Sequence, residues 1–328
     1  MATQENIIRK GNRIYLRIVL NAKWRWFYYD ANSAPLGSGA MGIVYLGYSC
    51  DDGMPVAIKM VKPEYAEIPS IRKRAHTEAA MMYRHHNLVE MLGCCEAHPS
   101  KGHIYIISKF VYGINIDKFI DNNLKSLPVE MRWRKVCNMI FPVMDALEYI
   151  HSYGVVHLDI KPSNIMVENG NNVRLMDLGI SNTAEALMHD AAKGFIGTPK
   201  YAAPEQFGGQ SSSDIVNHIT DIYCLGITIY ELLTGRNPFK ANRLREGVEF
   251  RQKRTLPYQP GIPNAVIDVL RKATAFEQGA RFRSVSEFKK ALQDAMNRKS
   301  TNRWPLIIGV SSVIVLLSII ILLIIWNR

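Results

Sequence analysis

The stretch "HLDIKPSN", residues 157–164, puts an imidazole, a carboxylate, an ammonium and an amide into eight positions, and "MDLG" follows at 176–179. Short polar clusters are usually solvated loops. Here the flanking "VVH" and "NIMVE" read as short strands, so the loop would be pinned at both ends. Asp159 can accept a proton from an attacking hydroxyl. Lys161 can neutralise a transferring phosphoryl group. Asn164 offers a neutral oxygen and Asp177 a charged one, the hard ligands that Mg²⁺ favours. Phosphoryl transfer needs positioning and charge stabilisation more than covalent chemistry, and these groups supply both.

Upstream, "LGSGAMGIVYLG" carries Gly37, Gly39 and Gly42 in a G-x-G-x-x-G pattern, followed by a strand-like run. A strand, a Gly-rich loop and a second strand form a flap over phosphates, because glycines let backbone N–H groups approach the oxygens. Val44 would then lie over the base as an apolar lid. "PVAIKM" places Lys59 in an otherwise apolar strand, 17 residues after Gly42. "IRKRAHTEAAMMYR", residues 71–84, reads as a helix, and its Glu78 is available to pair with Lys59 and hold the ammonium against the α- and β-phosphates.

The 328 residues suffice for two domains, and 48% hydrophobic content supports a packed core. A β-rich first third followed by mainly helical patterns from about Ile116 predicts two lobes with a cleft between them. The helical runs are 131–154, 221–235, 265–274 and 284–297. "RIYLRIVLNAKWRWFYY", residues 13–29, predicts a β-hairpin broken at "NAK" that caps a sheet edge. The five cysteines form no C-x-x-C pair and have no zinc-ligand spacing, so reduced cytosolic thiols are expected. The polar start, "MATQENIIRKGNR", has no apolar signal region. A net charge of +11 admits nucleic acid, an anionic membrane surface or phosphate handling. No RNA-binding or helix-turn-helix signature accompanies it, so nucleic acid is not expected as a partner.

"PLIIGVSSVIVLLSIIILLIIW", residues 305–326, holds no charge over 22 residues. As a helix it would extend roughly 33 Å, enough for a bilayer core. Trp304 and Trp326 bracket it as interfacial aromatics do, and Lys289, Lys290, Arg298, Lys299 and Arg303 precede it. The basic flank predicts a cytoplasmic body with a single-pass C-terminal anchor in membrane lipid. A removable lipid-anchor signal, which would need an export signal, is the weaker alternative. Two anchored copies would meet at raised effective concentration, which favours self-association and autophosphorylation in trans.

G-x-G-x-x-G-x-V at 37–44, VAIK at 56–59, H-x-D-x-K-P-x-N at 157–164, DLG at 177–179 and APE at 203–205 occur in the order of the protein-kinase signature set. Over residues 30–296 the chain resembles the eukaryotic-like (Hanks-type) serine/threonine protein kinases. The resemblance implies an α+β, bilobal protein-kinase fold, with an N-lobe at about 30–110 and a C-lobe at about 111–297. Residues 1–29 would be an extension, 298–304 a basic juxtamembrane linker and 305–326 a transmembrane helix. It implies ATP and Mg²⁺ (or Mn²⁺) as cofactors and a protein as substrate. Asp159 and Lys161 are the catalytic residues it points to, and Asn164 and Asp177 the metal ligands. ATP would be held by Leu36, Gly37, Ser38, Gly39, Ala40, Met41, Gly42, Ile43, Val44, Lys59 and Glu78. The hinge would contact adenine through the backbone near Lys109 and Val111, with Ser108 behind the base. Lys161 and "GTPKYAAPE" resemble the serine/threonine branch, in which Thr198 supports Asp159 and Lys161. Asp221 would tie its helix to the catalytic loop, and Arg281 would pair with Glu205.

Three positions depart from the family pattern. Leu158 stands where an Arg commonly docks an activation-loop phosphate, so activity without that phosphate is expected. Leu178 replaces Phe in an apolar role, and Lys109 replaces a frequent Glu at a position that would act through its backbone. Two competing readings are a pseudokinase scaffold and a small-molecule or lipid kinase. The presence of Lys59, Asp159, Asn164 and Asp177 together weighs against the first, and the peptide-docking "GTPKYAAPE" against the second.

Overall fold

The computed structural model describes residues 6–39, 42–69, 72–73, 75–76, 83–98, 101–177, 198–207, 215–239 and 255–298. Ala40, Met41, Glu78, Leu178 and the run 305–326 lie outside the described residues. Among the described residues, no helix is long and apolar enough to cross a membrane.

The N-terminal lobe is a curled sheet of eight strands. These are β1 (Ile7–Lys10), β2 (Arg13–Leu20), β3 (Lys23–Asp30), β4 (Gly37–Ser38), β5 (Gly42–Ser49), β6 (Pro55–Val61), β7 (Met91–His98) and β8 (Lys101–Lys109). The path runs β1-β2-β3-β5-β6-β8-β7, with the short β4 on β5. β2 and β3 meet in register from Arg13↔Asp30 to Leu20↔Lys23. The two turn residues, Asn21 and Ala22, both have positive φ, the geometry whose twist matches a tight hairpin.

The hairpin does more than cap an edge. Alternate residues of β2 and β3 (Ile14, Leu16, Ile18, Phe27 and Tyr29) turn inward and pack with Leu92, Cys95 and Ile107 in one apolar cluster. The sheet has curled far enough to bring β2 against β7. The Cys95 thiol donates to the Asn6 carbonyl at 3.3 Å, and a Cβ at Gly93 would meet Ile18 at 2.9 Å. The other face of the sheet packs Val61, Met91, Ile104 and Ile106 against Ala66 of a short helix, α1 (Pro63–Ala66), and against Ala75. Arg72, Lys73, Ala75 and His76 are helical.

The C-terminal lobe is helical: α2 (Ile116–Asn123), α3 (Val129–Ser152), α4 (His218–Thr234), α5 (Asn264–Ala273) and α6 (Val285–Asn297). α3 and α4 are the buried spine, with Val136, Ile140, Met144, Leu147, Tyr223, Leu225 and Ile229 in one core. α4 begins in a capping box in which Asn217 and Thr220 exchange hydrogen bonds, and it ends at Gly235 with φ 71°. That left-handed stop costs glycine little. A small sheet of β9 (Gly113–Asn115), β10 (Ile165–Glu168) and β11 (Asn172–Leu175) lies at the cleft, in the order β11-β10-β9. The lobes are stitched together at residues 87–89. Leu175 N donates to Asn87 O at 2.7 Å, Val89 N to Leu175 O at 3.1 Å, and Asn87 Nδ2 to Val173 O at 2.8 Å.

One local expectation is corrected. "NIMVE" contains a strand, β10, but "VVH" contributes only a bridge residue at Val156. The reason is competition for backbone donors. His157 N and Leu158 N, which a strand would spend on a neighbour, both donate to the buried carboxylate of Asp221 at 2.7 Å.

Candidate active site

The loop between Val156 and β10 is built around Asp159. Lys161 Nζ lies 2.6 Å from Asp159 Oδ2, Thr198 Oγ1 donates to Asp159 Oδ1 at 2.8 Å, and Lys161 Nζ donates to Thr198 Oγ1 at 2.8 Å. These contacts close a triangle of carboxylate, ammonium and hydroxyl. Thr198, 39 residues along the chain, thus joins the two catalytic candidates. Asn164 sits in a 3₁₀ turn, Pro162–Asn164, and its Nδ2 donates to the Asp159 carbonyl at 2.8 Å and to Asp159 Oδ2 at 3.2 Å. With the amide nitrogen so engaged, the amide oxygen is the atom left for a cation. Asp177 follows β11 with φ 52°. The Met176 N–H, donating to Asn164 O at 2.8 Å, brings the two metal-ligand candidates side by side. A carboxylate beside an amide oxygen is a donor set that fits Mg²⁺.

Lys59 reaches across from β6, with Nζ 2.6 Å and 2.8 Å from the two oxygens of Asp177. Burial alone would raise the Asp177 carboxyl, but the Lys59 ammonium outweighs it and holds the group below the usual carboxylate range. Lys59 is thus brought together with Asp177. Its expected partner Glu78 lies outside the described residues.

The roof of the cleft is β4 and β5. Leu36 N donates to Val44 O at 2.8 Å, Gly39 N to Gly42 O at 2.9 Å, and Val44 pairs with Lys59. Ser38 pairs with Ile43. A Cβ at Gly37 would meet nothing within 4 Å, so its absence leaves open space. Gly42 is different: a Cβ there would come within 2.7 Å of the Met60 carbonyl, a contact no side chain tolerates. At the end of β8, Ser108 pairs with Ala57, and Lys109 N donates to Glu90 O at 2.9 Å. The Lys109 ammonium is engaged away from the backbone by Glu90 Oε2 at 2.6 Å. Val111 is buried just beyond.

Two structural residues lie where the motifs predict. Asp221, fully buried on α4, accepts from His157 N and Leu158 N, and from His151 Nε2 at 2.8 Å. Arg281 grips Glu205 with two parallel bonds of 2.7 and 2.9 Å, both side chains buried. Burial would raise the Glu205 carboxyl, but the guanidinium overrides it and holds it low.

Sequence reading missed Gln206 and His151. Gln206 Nε2 donates to the Leu158 carbonyl at 3.0 Å, while its Oε1 accepts from Ala203 N at 2.8 Å and from the Cys224 thiol at 3.3 Å. This side chain ties the APE segment to the Asp159 loop. Its adjacency to APE was the available signal. For His151, on α3 and 70 residues from Asp221, no local pattern pointed to the contact.

A curled sheet over a helical lobe, with Lys59, Asp159, Asn164 and Asp177 meeting in the cleft, defines a bilobal protein kinase fold. The chain belongs to the protein kinase domain family, whose model matches residues 31–304. It is 34% identical over 272 residues to the serine/threonine-protein kinase Pkn1 of Myxococcus xanthus, covering 80% of this chain and 37% of that protein. It is 28% identical to the serine/threonine-protein kinase PrkC of Bacillus subtilis, over 81% of this chain and 40% of that one. The chain therefore spans about two fifths of the length of these curated relatives. The crystal structure of the Mycobacterium tuberculosis PknI kinase domain, in a point mutant, superposes with a TM-score of 0.62 at 23% identity. It covers 90% of this chain and 99% of that one, a likeness of fold.

Proposed function

We propose that this chain is a serine/threonine protein kinase that transfers the γ-phosphoryl group of ATP to hydroxyls of protein substrates. The observation that carries this reading is the triangle of Asp159, Lys161 and Thr198. It holds a base, a cation and a hydroxyl within hydrogen-bond reach of one another at the mouth of the cleft. Asp159 Oδ2 receives the proton of the attacking hydroxyl, and Lys161 neutralises the phosphoryl group as it passes. Lys59 orients the phosphates from above, under the flap of β4 and β5. Asp177 and Asn164 would hold Mg²⁺, which would neutralise charge on the phosphates.

Residues 305–326 act as a single-pass anchor that holds the catalytic domain at the cytosolic membrane face. The uncharged run, its Trp flanks and the basic linker before it support this part of the reading. Nearby anionic lipid would favour each basic linker residue by about 1 kcal/mol.

The test is incubation of the full chain in lipid nanodiscs with labelled ATP, Mg²⁺ and a generic protein substrate, followed by phosphoamino-acid analysis. Wild type labels Ser and Thr. Asp159→Asn loses about 10²- to 10⁴-fold in turnover while ATP binding stays within a few-fold. Full turnover in that variant would overturn the base assignment. ATP binding with no transfer by wild type would favour the pseudokinase scaffold instead.

A further inference from the structure

On the face of β7 that packs against the helical stretch around Ala75, Cys94 Sγ lies 3.5 Å from His76 Nδ1, and His76 Nε2 lies 2.9 Å from Glu96 Oε1. Cys94 and Glu96 are two residues apart on one strand and so share a face. The helical stretch carrying His76 lays its imidazole between them. Glu96 is itself held by Arg72, a buried guanidinium whose Nη2 also donates to the Gly102 carbonyl at 2.7 Å. With Nε2–H donated to a fixed carboxylate, the tautomer this contact sets presents Nδ1 as an acceptor to the thiol. Nucleophile, base and orienting acid stand in line, the order that activates a cysteine. The phosphotransfer cleft uses none of these three groups. His76 is about half exposed (49%), so small reagents can reach the site from solvent.

The other cysteines are set differently. Burial pushes Cys95 and Cys137 up to about 12 and Cys224 well above its ordinary value. Cys50 is exposed, and partial burial followed by Asp51 raises it too.

We propose that Cys94 is a modification site for hydroperoxides, its thiol activated by His76 and Glu96. His76 Nδ1 takes the thiol proton. The thiolate attacks one peroxide oxygen, forming an S–O bond and breaking the O–O bond. The departing hydroxide (alkoxide, from an organic hydroperoxide) takes the proton from the His76 imidazolium and leaves as water or the alcohol. Sulfur is oxidised by two electrons to a sulfenic acid and the peroxide is reduced. Cys95 cannot resolve the product, because its side chain points to the opposite face of β7 and is buried against Asn6. The sulfenic acid therefore persists until an external thiol attacks it.

The experiment uses the full chain, with iodoacetamide as probe at pH 7 and fragmentation mass spectrometry to separate Cys94 from Cys95. A thiol of ordinary pKa near 8.5 is about 3% ionised at pH 7, so full ionisation raises the reactive fraction roughly 30-fold. The lower nucleophilicity of a more acidic thiolate trims the gain to about 5- to 10-fold over glutathione. Wild-type Cys94 is expected to show that excess, and His76→Gln to lose it while its melting temperature stays within about 2 °C. After hydrogen peroxide treatment, dimedone tags Cys94 in wild type and several-fold less in His76→Gln. Wild-type labelling no faster than glutathione overturns the proposal whatever the variant does, as does an unchanged rate in folded His76→Gln.

Discussion

Asp221 Oδ1 accepts the backbone N–H of Leu158 at 2.7 Å, although Leu158 stands at φ 64°, a left-handed conformation in which a bulky residue is strained. The strain costs on the order of 1–3 kcal/mol and persists because the surroundings over-determine it. Asp221 holds the amides of His157 and Leu158, and Gln206 holds the Leu158 carbonyl. Asp221→Ala strands two buried backbone donors and removes the partner of the His151 imidazole, which together cost roughly 2–5 kcal/mol. The melting temperature should fall by about 5–15 °C, and turnover should fall at permissive temperature as Asp159 loses its anchor. Scanning calorimetry and initial rates check this. An unchanged melting temperature with full turnover would show that the contact does not hold the loop.

The Leu158 side chain is buried with Val156 and packs on Val216, so this position makes an apolar contact in place of a guanidinium. Unphosphorylated protein is therefore expected to be active with Ser181 and Thr183 unmodified, two residues outside the described ones. Thr198 is a separate case: its hydroxyl is bonded on both sides, to Asp159 and Lys161. A phosphate there would face the Asp159 carboxylate and capture Lys161, so Thr198 modification should inactivate. Thr198→Ser keeps most turnover, and Thr198→Ala loses at least about tenfold. Rates on phosphatase-treated protein, with intact-mass verification, decide the matter. Silence until Ser181 or Thr183 carries phosphate would count against this account.

Glu205 is held below its ordinary value by Arg281, so its charged form is the one the fold favours. Stability from this pair is fully present above the unfolded carboxyl's pKa of about 4.3 and is lost as pH falls through the lower, folded value. Arg281→Ala leaves a buried, unpaired carboxylate and should cost roughly 3–5 kcal/mol at neutral pH. In Glu205→Gln, stability should fall less steeply below about pH 4.5 than in wild type. Urea unfolding at a series of pH values measures both. Identical acid limbs for wild type and Glu205→Gln would refute the linkage.

Much of this molecule is written locally. The buried runs of α3 and α4, the tight turn at Asn21–Ala22 and the stop at Gly235 follow from residue chemistry within a few positions, because helix periodicity, turn conformation and capping are local. The motif spacing likewise marks Lys59, Asp159, Asn164 and Asp177. The tertiary structure decided which groups touch. Lys59 meets Asp177 118 residues away, and Gln206 and His151 become supports of the Asp159 loop. It also turned a hairpin into a wall of the N-terminal lobe, since twist accumulated along the path from β2 to β7 brings β2 against β7. Such contacts depend on how far the sheet curls and how the lobes are stitched together at Asn87–Val89. Both are sums over many weak interactions, and no short stretch of chain contains them.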